Sequence, residues 1–296
     1  MTHFLTVADF DSSTLNAIVE NARILKYQQK SGISHRLLEG KGLAMIFEKP
    51  SNRTRIAFEM GIFQLGGYSI FLQKQDVGMG DREPIKDVAR VLSRMTDVVM
   101  IRALSHHTLD EFSRYATVPV INGLSDTHHP CQAMADMVTI LEKKPDHPKP
   151  IVAYVGDGNN VCRSLIEICQ KMNVCIRVAC PKGYEPSIRP DFLSHSPREV
   201  VDGADVVYTD VWISMGQESD CTQKMNDFKE FTVTKDLMAC AKSDAIFMHC
   251  LPAIRGQEVD DEVIESSQSA VFDQAENRLH AHKAILMYLL ESNLKK

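Results

Sequence analysis

Short unbroken apolar runs alternate along this chain with stretches whose apolar residues recur every three or four positions. Residues 42–48, Gly-Leu-Ala-Met-Ile-Phe-Glu, form one such run, stopped by Lys49 and Pro50, and predict a buried strand. A helix is predicted over 54–65, where Ile56, Met60 and Phe63 repeat at helical spacing. Residues 68–72 read as a strand, 73–84 as a loop rich in glycine and charge, and 85–95 as a helix. Two further strands are predicted over 97–102 and 118–122, then a helix over 132–143. Lys144-Pro-Asp-His-Pro-Lys-Pro150 is the best linker candidate, because proline neither continues a helix nor donates to a sheet. Beyond it lie predicted strands over 151–156, 174–180, 205–211 and 245–251, with a helix over 161–172. A last helix, 276–292, carries Leu279, Ile285, Leu286 and Leu289 on one broad face.

Near-continuous apolar strands that alternate with helices belong to parallel sheets covered on both faces. The expected fold is therefore α/β, with two domains, each a mostly parallel sheet with helices on both faces. At 296 residues the chain is long for one core. The domains are expected at 1–147 and 148–275, with the last helix, 276–296, packing back on the first. Open parallel sheets bind ligands at the carboxyl ends of their strands, so residues that do chemistry should follow the apolar runs directly.

Composition narrows the function classes. With 33 Lys and Arg against 39 Asp and Glu, the net charge is −6, which gives no footprint for nucleic acid. No window approaches the ~18 apolar residues of a membrane span. The first residues have neither a signal-peptide nor a transit-peptide layout. The eight cysteines form no C-x-x-C pair and read as reduced, small apolar residues, so a cytoplasmic protein is expected.

The strand ends do carry chemistry. Ser51-Asn-Arg-Thr-Arg55 follows the first strand and opens a helix, whose unpaired N–H groups and dipole suit a phosphate. Ser51 and Thr54 add hydroxyls, and Arg53 adds a bidentate fork. Arg102 ends another strand. His128-His-Pro-Cys-Gln132 lacks a second Cys or His group at zinc spacing, so no metal is expected. Gly156-Asp-Gly-Asn-Asn160 fails as a dinucleotide loop, because Val161 stands at the third glycine position and Cys180-Pro-Lys182 replaces the ribose-binding acid. No cofactor is expected.

Phe47-Glu-Lys-Pro-Ser-Asn-Arg-Thr-Arg55 resembles the Ser-x-Arg-Thr-Arg phosphate loop of the aspartate and ornithine carbamoyltransferase family, with Asn52 where many members have Thr. His129-Pro-Cys-Gln132 resembles the family's His-Pro-x-Gln segment, and Met248-His-Cys-Leu-Pro252 its His-Cys-Leu-Pro motif. Asp210-Val-Trp-Ile-Ser-Met-Gly216 is similar to a segment of the ornithine branch. The resemblance runs from about 42 to 280 and implies carbamoyl transfer from carbamoyl phosphate to an amine, with ornithine the favoured acceptor over putrescine or an N-acylated ornithine. A non-catalytic binding protein on the same scaffold is the alternative from another class.

The resemblance also implies roles. Ser51, Asn52, Arg53 and the loop amides hold the phosphate, while Thr54, Arg102 and His129 polarise the carbonyl oxygen. Gln132 and the carbonyl groups near Cys250 and Leu251 take the carbamoyl NH₂, and Arg278 is a further carbamoyl phosphate contact. Asp210 and Cys250 orient the acceptor, with Asn160, Ser214 and Met215 completing its site. Gln75 belongs to a loop that crosses into a neighbouring subunit, which implies a homotrimer or a multiple of trimers.

Overall fold

The computed structural model describes residues 1–147, 149–213 and 221–294. The chain divides into two compact units, one formed by 1–138 with 276–296 and the other by 139–275.

The first unit contains α1 (Ser12–Lys30), β1 (Gly42–Phe47), α2 (Asn52–Gln64), β2 (Tyr68–Gln73), α3 (Lys74–Val77), α4 (Ile85–Leu92), β3 (Val98–Arg102), α5 (His106–Tyr115) and β4 (Val120–Leu124). Its sheet is parallel throughout, in the order β2-β1-β3-β4. Every residue of β1, β3 and β4 is buried, because both sheet faces are covered, which explains the apolar runs of β1 and β3. α6 (Pro130–Lys143) begins in this unit and ends in the other. The second unit holds β5 (Ile151–Val155), α7 (Asn160–Lys171), β6 (Cys175–Ala179), β7 (Phe192–Ser194), α8 (Pro197–Val201), β8 (Val206–Thr209), α9 (Cys221–Asp227), α10 (Lys235–Met238), β9 (Ile246–His249) and α11 (Asp261–Ile264). Its sheet is also parallel, in the order β7-β6-β5-β8-β9. α12 (Val271–Leu294) starts in this unit and continues into the first.

Four differences from the sequence expectations have physical causes. First, α2 forms, but its apolar stripe faces outward: Ile56 is 59% and Phe63 67% exposed, while Thr54, Ala57, Phe58, Gly61 and Ile62 are buried. Small residues allow α2 to approach α12, and a Cβ on Gly61 would meet Lys283 Cγ at 3.4 Å. Second, α1 was not anticipated, although Leu15, Ile18, Val19, Ala22 and Leu25 bury one face at helical spacing. Third, α12 starts at Val271, so Arg278 lies in its interior and not at its first turn. Fourth, the proline-rich stretch is anchored where Lys144 Nζ, 3% exposed, meets Asp244 Oδ2 at 2.8 Å. Among the described residues no helix is long and apolar enough to cross a membrane.

Candidate active site

In the first unit, the carboxyl ends of β1, β3 and β4 carry the candidate groups, as the parallel-sheet rule requires. Ser51 caps α2: its Oγ accepts from Thr54 N at 3.4 Å and donates to Thr54 Oγ1 at 3.0 Å. Arg278 Nη2 also donates to Thr54 Oγ1, at 2.7 Å. Both lone pairs of Thr54 are then engaged, which leaves its hydroxyl proton to donate. Arg53, half-buried, and Asn52, exposed, occupy the first turn of the same helix.

One turn further along, Phe58 of α2 stacks on His282 of α12 with ring centroids 4.0 Å apart. Beyond that, Lys283 Nζ meets Gln64 Oε1 at 3.0 Å, Gln29 Oε1 at 2.9 Å and His35 Nε2 at 3.1 Å. The contacts at 54–278, 58–282 and 64–283 fix the register of α2 against α12, and so the place of the loop that opens α2.

Glu48 ties the neighbouring strand ends together. Its N–H donates to Arg102 O at 2.9 Å, and its Oε2 accepts from Leu104 N at 2.7 Å. Arg102, the last residue of β3, is buried. After β4, Ser125 N donates to His128 O at 2.9 Å and closes the turn that delivers His129. Burial, then the charges of Arg278, Arg102, His282 and Lys49, hold the His129 pKa well below its usual value. His129 is therefore a neutral imidazole among cations. Gln132 Nε2 donates to Asp136 Oδ1 at 2.8 Å, so its buried Oε1, which has no hydrogen-bond partner, is an acceptor waiting for a donor. Lys49 was missed by the sequence reading. Its position directly before the Ser51 loop was the available signal, and burial and Arg102 lower its pKa. Gln75, on α3, is exposed and donates to Gln73 Oε1 at 2.9 Å.

The second unit presents a different set at the ends of β5, β8 and β9. Asp210, directly after β8, accepts from Cys250 Sγ at 3.0 Å and from Asn159 Nδ2 at 2.9 Å. Asn159 also caps α7, its Oδ1 accepting from Val161 N and Cys162 N. Asn160, the residue singled out from sequence as an acceptor contact, is the first residue of α7 and directly follows Asn159. Gly156 sits at φ +146°, and a Cβ on Gly158 would land on the backbone of Glu185 and Pro186, so this loop requires its glycines. Ser214 and Met215 lie outside the described residues.

Asp210, His249 and Cys250 place their polar atoms within 4.8 Å of one another. Both His249 ring nitrogens are already engaged: Nδ1 accepts from Leu251 N at 2.8 Å and Nε2 faces Glu258 Oε1 at 3.0 Å. His249 therefore works as a brace for the turn that follows it. Glu258 Oε1 also accepts from Ile254 N, at 2.6 Å, which closes that turn. Leu251 lies within it at φ +56°, an uncommon backbone state for a non-glycine residue that the surrounding bonds sustain.

Comparisons with known proteins decide the family. Residues 2–142 match "Aspartate/ornithine carbamoyltransferase, carbamoyl-P binding domain", and residues 150–289 match "Aspartate/ornithine carbamoyltransferase, Asp/Orn binding domain". The chain belongs to the aspartate/ornithine carbamoyltransferase family. Within this family it is similar to the ornithine carbamoyltransferase of Wolinella succinogenes, at 48% identity with 98% of each chain covered. That of Thermococcus kodakarensis is 50% identical, with 97% of this chain and 95% of the relative covered. Among solved family members, the ornithine carbamoyltransferase from Pyrococcus furiosus superposes with a TM-score of 0.94 at 48% identity, covering 98% of this chain and 97% of that one.

Proposed function

We propose that this protein transfers the carbamoyl group of carbamoyl phosphate to the side-chain amine of L-ornithine, giving L-citrulline and phosphate. The carrying observation is the buried set in the first unit: neutral His129, Arg102, and a Thr54 hydroxyl whose lone pairs are already engaged. Attack on the carbamoyl carbon drives negative charge onto the carbonyl oxygen and then onto the departing phosphate. Fixed donors aimed at those oxygens lower the barrier because they bind the transition state more strongly than the substrate. Thr54, Arg102 and His129 serve the carbonyl oxygen. Ser51, Arg53, Arg278 and the loop amides of Asn52 and its neighbours serve the phosphate. The empty acceptor on Gln132 Oε1 suits the carbamoyl NH₂. A protonated His129 would add a charge to a cationic pocket; the neutral ring still supplies one N–H.

The second unit supplies the amine side. Asp210, held by Cys250 and Asn159, receives an ammonium group of ornithine, and Cys250 helps to orient the acceptor. The attacking amine must first lose a proton, and its pKa resembles that of lysine, ~10.4. Activity is therefore expected to rise with pH through the mildly alkaline range. The test is citrulline formation from carbamoyl phosphate and ornithine without added metal or nucleotide, beside putrescine, aspartate and N-acetylornithine. Turnover with one of those amines in place of ornithine would overturn the acceptor assignment.

The same reading makes the protein a homotrimer, or a multiple of trimers, working in the cytoplasm. Ile56, Met60 and Phe63 on α2 and Tyr68 and Ile70 on the edge strand β2 form an apolar face that a lone copy leaves in water. Gln75, exposed on α3 just after β2, serves a neighbouring copy. Phe63→Asp is expected to convert a trimer to monomers in light scattering and to lower activity with it. A wild-type chain that runs as a monomer would refute the assembly.

A further inference from the structure

Beside Asp210 the second unit holds another mostly buried carboxylate, Asp157, which the proposed chemistry does not use. Lys224 Nζ on α9 meets Asp157 Oδ2 at 2.7 Å, with the two side chains only 16% and 12% exposed. The pair is held from several sides. Lys224 lies over the rings of Tyr184, at 5.3 Å, and Phe228, at 5.7 Å, which shields it from water. Tyr184 OH donates to Asp227 Oδ2 at 3.0 Å and so keeps that carboxylate occupied. Tyr154 OH donates to the carbonyl oxygen of Asp157 at 3.0 Å, and Asn159, two residues on, reaches Asp210.

We propose that Lys224 is a positioning residue for the acceptor: by neutralising Asp157, it leaves Asp210, and not Asp157, to receive the ammonium of the substrate. The inference rests on the ornithine reading above. Two buried carboxylates beside each other compete, both for a proton and for any cation that enters. Burial raises the pKa of Asp157, the Lys224 contact lowers it, and the charge of Asp210 raises it again. Without Lys224, the uncompensated Asp157 charge would offer the ammonium a second, unproductive partner. Among the described residues, the other titratable groups near the two carboxylates are Tyr154, Cys162, Cys180, His249 and Cys250. Burial pushes Tyr154 and Cys162 well up and Cys180 to about 12, so these groups stay neutral and cannot take over the role of the lysine.

The test is steady-state kinetics on Lys224→Met, Lys224→Arg and the double variant Asp157→Asn/Lys224→Met. Lys224→Met is expected to raise the ornithine KM about tenfold and leave the carbamoyl phosphate KM unchanged. Lys224→Arg should behave as wild type. The double variant should recover the ornithine KM to within about threefold, because it removes the competing charge along with its partner. A merely structural ion pair predicts no such recovery. A double variant as impaired as Lys224→Met, or a Lys224→Met enzyme with an unchanged ornithine KM, overturns the inference alone. Absence of citrulline formation by the wild-type protein overturns the ornithine reading and this one together.

Discussion

Arg278→Ala is expected to lower kcat/KM for carbamoyl phosphate about a thousandfold, roughly 4 kcal/mol of lost transition-state stabilisation. The guanidinium is 3% exposed and donates to Thr54 Oγ1 at 2.7 Å. Its removal takes a fixed positive charge from a dry site, where that charge is worth far more than in water. It also frees a lone pair on Thr54, so the hydroxyl loses the constraint that points its proton toward substrate. A third consequence reaches His129. Burial is the first cause of its depressed pKa and Arg278 the second, so the variant imidazole binds a proton more readily. The acid limb of the activity profile should accordingly move to higher pH. Arg278→Lys, which keeps the charge but loses the fork, should fall between the two. Steady-state kinetics across pH measures all three effects, and an Arg278→Ala enzyme within threefold of wild type would remove Arg278 from the phosphate site.

The second large effect belongs to Asp210. Asp210→Ala is expected to raise the ornithine KM about a hundredfold, near 2.7 kcal/mol, while the carbamoyl phosphate KM stays as it was. An ammonium loses a charge-assisted partner, and Cys250 Sγ and Asn159 Nδ2 lose the oxygens they donate to. Asp210→Asn separates these contributions, because it keeps the size of the side chain and one acceptor without the charge. A defect as large in Asp210→Asn as in Asp210→Ala assigns the effect to charge. If Asp210→Ala used ornithine as well as wild type, the acceptor assignment would be wrong.

How far these residues could be read beforehand depended on what each one needs. A strand buried on both faces is apolar along most of its length, so β1, β3 and β9 are legible as apolar runs, with the polar Arg102 and His249 only at the ends of the last two. Chemistry at strand ends was visible for the same reason, since the first polar residue after such a run marks the sheet edge. The α1 stripe of Leu15, Ile18, Val19, Ala22 and Leu25 is equally legible, because its spacing is helical. The direction of α2 was not readable. Ile56, Met60 and Phe63 announce a helix, but helical spacing does not say whether an apolar stripe meets its own core or another chain.

The site divides along the same line. Residue types and local spacing were enough to mark Ser51–Arg55 as a candidate anion loop and 156–160 as a turn, and the resemblance of these motifs pointed to the family. Local spacing also carries the capping roles of Ser51 and Asn159, because a cap bonds N–H groups two or three residues ahead. Tertiary structure alone decided that Thr54 would accept from Arg278, 224 residues away, and that Cys250 would face Asp210, 40 residues away. It alone decided that Asn159 would reach Asp210, and that Lys224 would meet Asp157. The neutrality of His129 likewise depends on burial and on cations gathered from β3 and α12. Periodicity and caps are short-range properties that a chain carries in its order of residues. The charge state of a buried group is set by whatever surrounds it in space, and that neighbourhood exists only once the chain has folded.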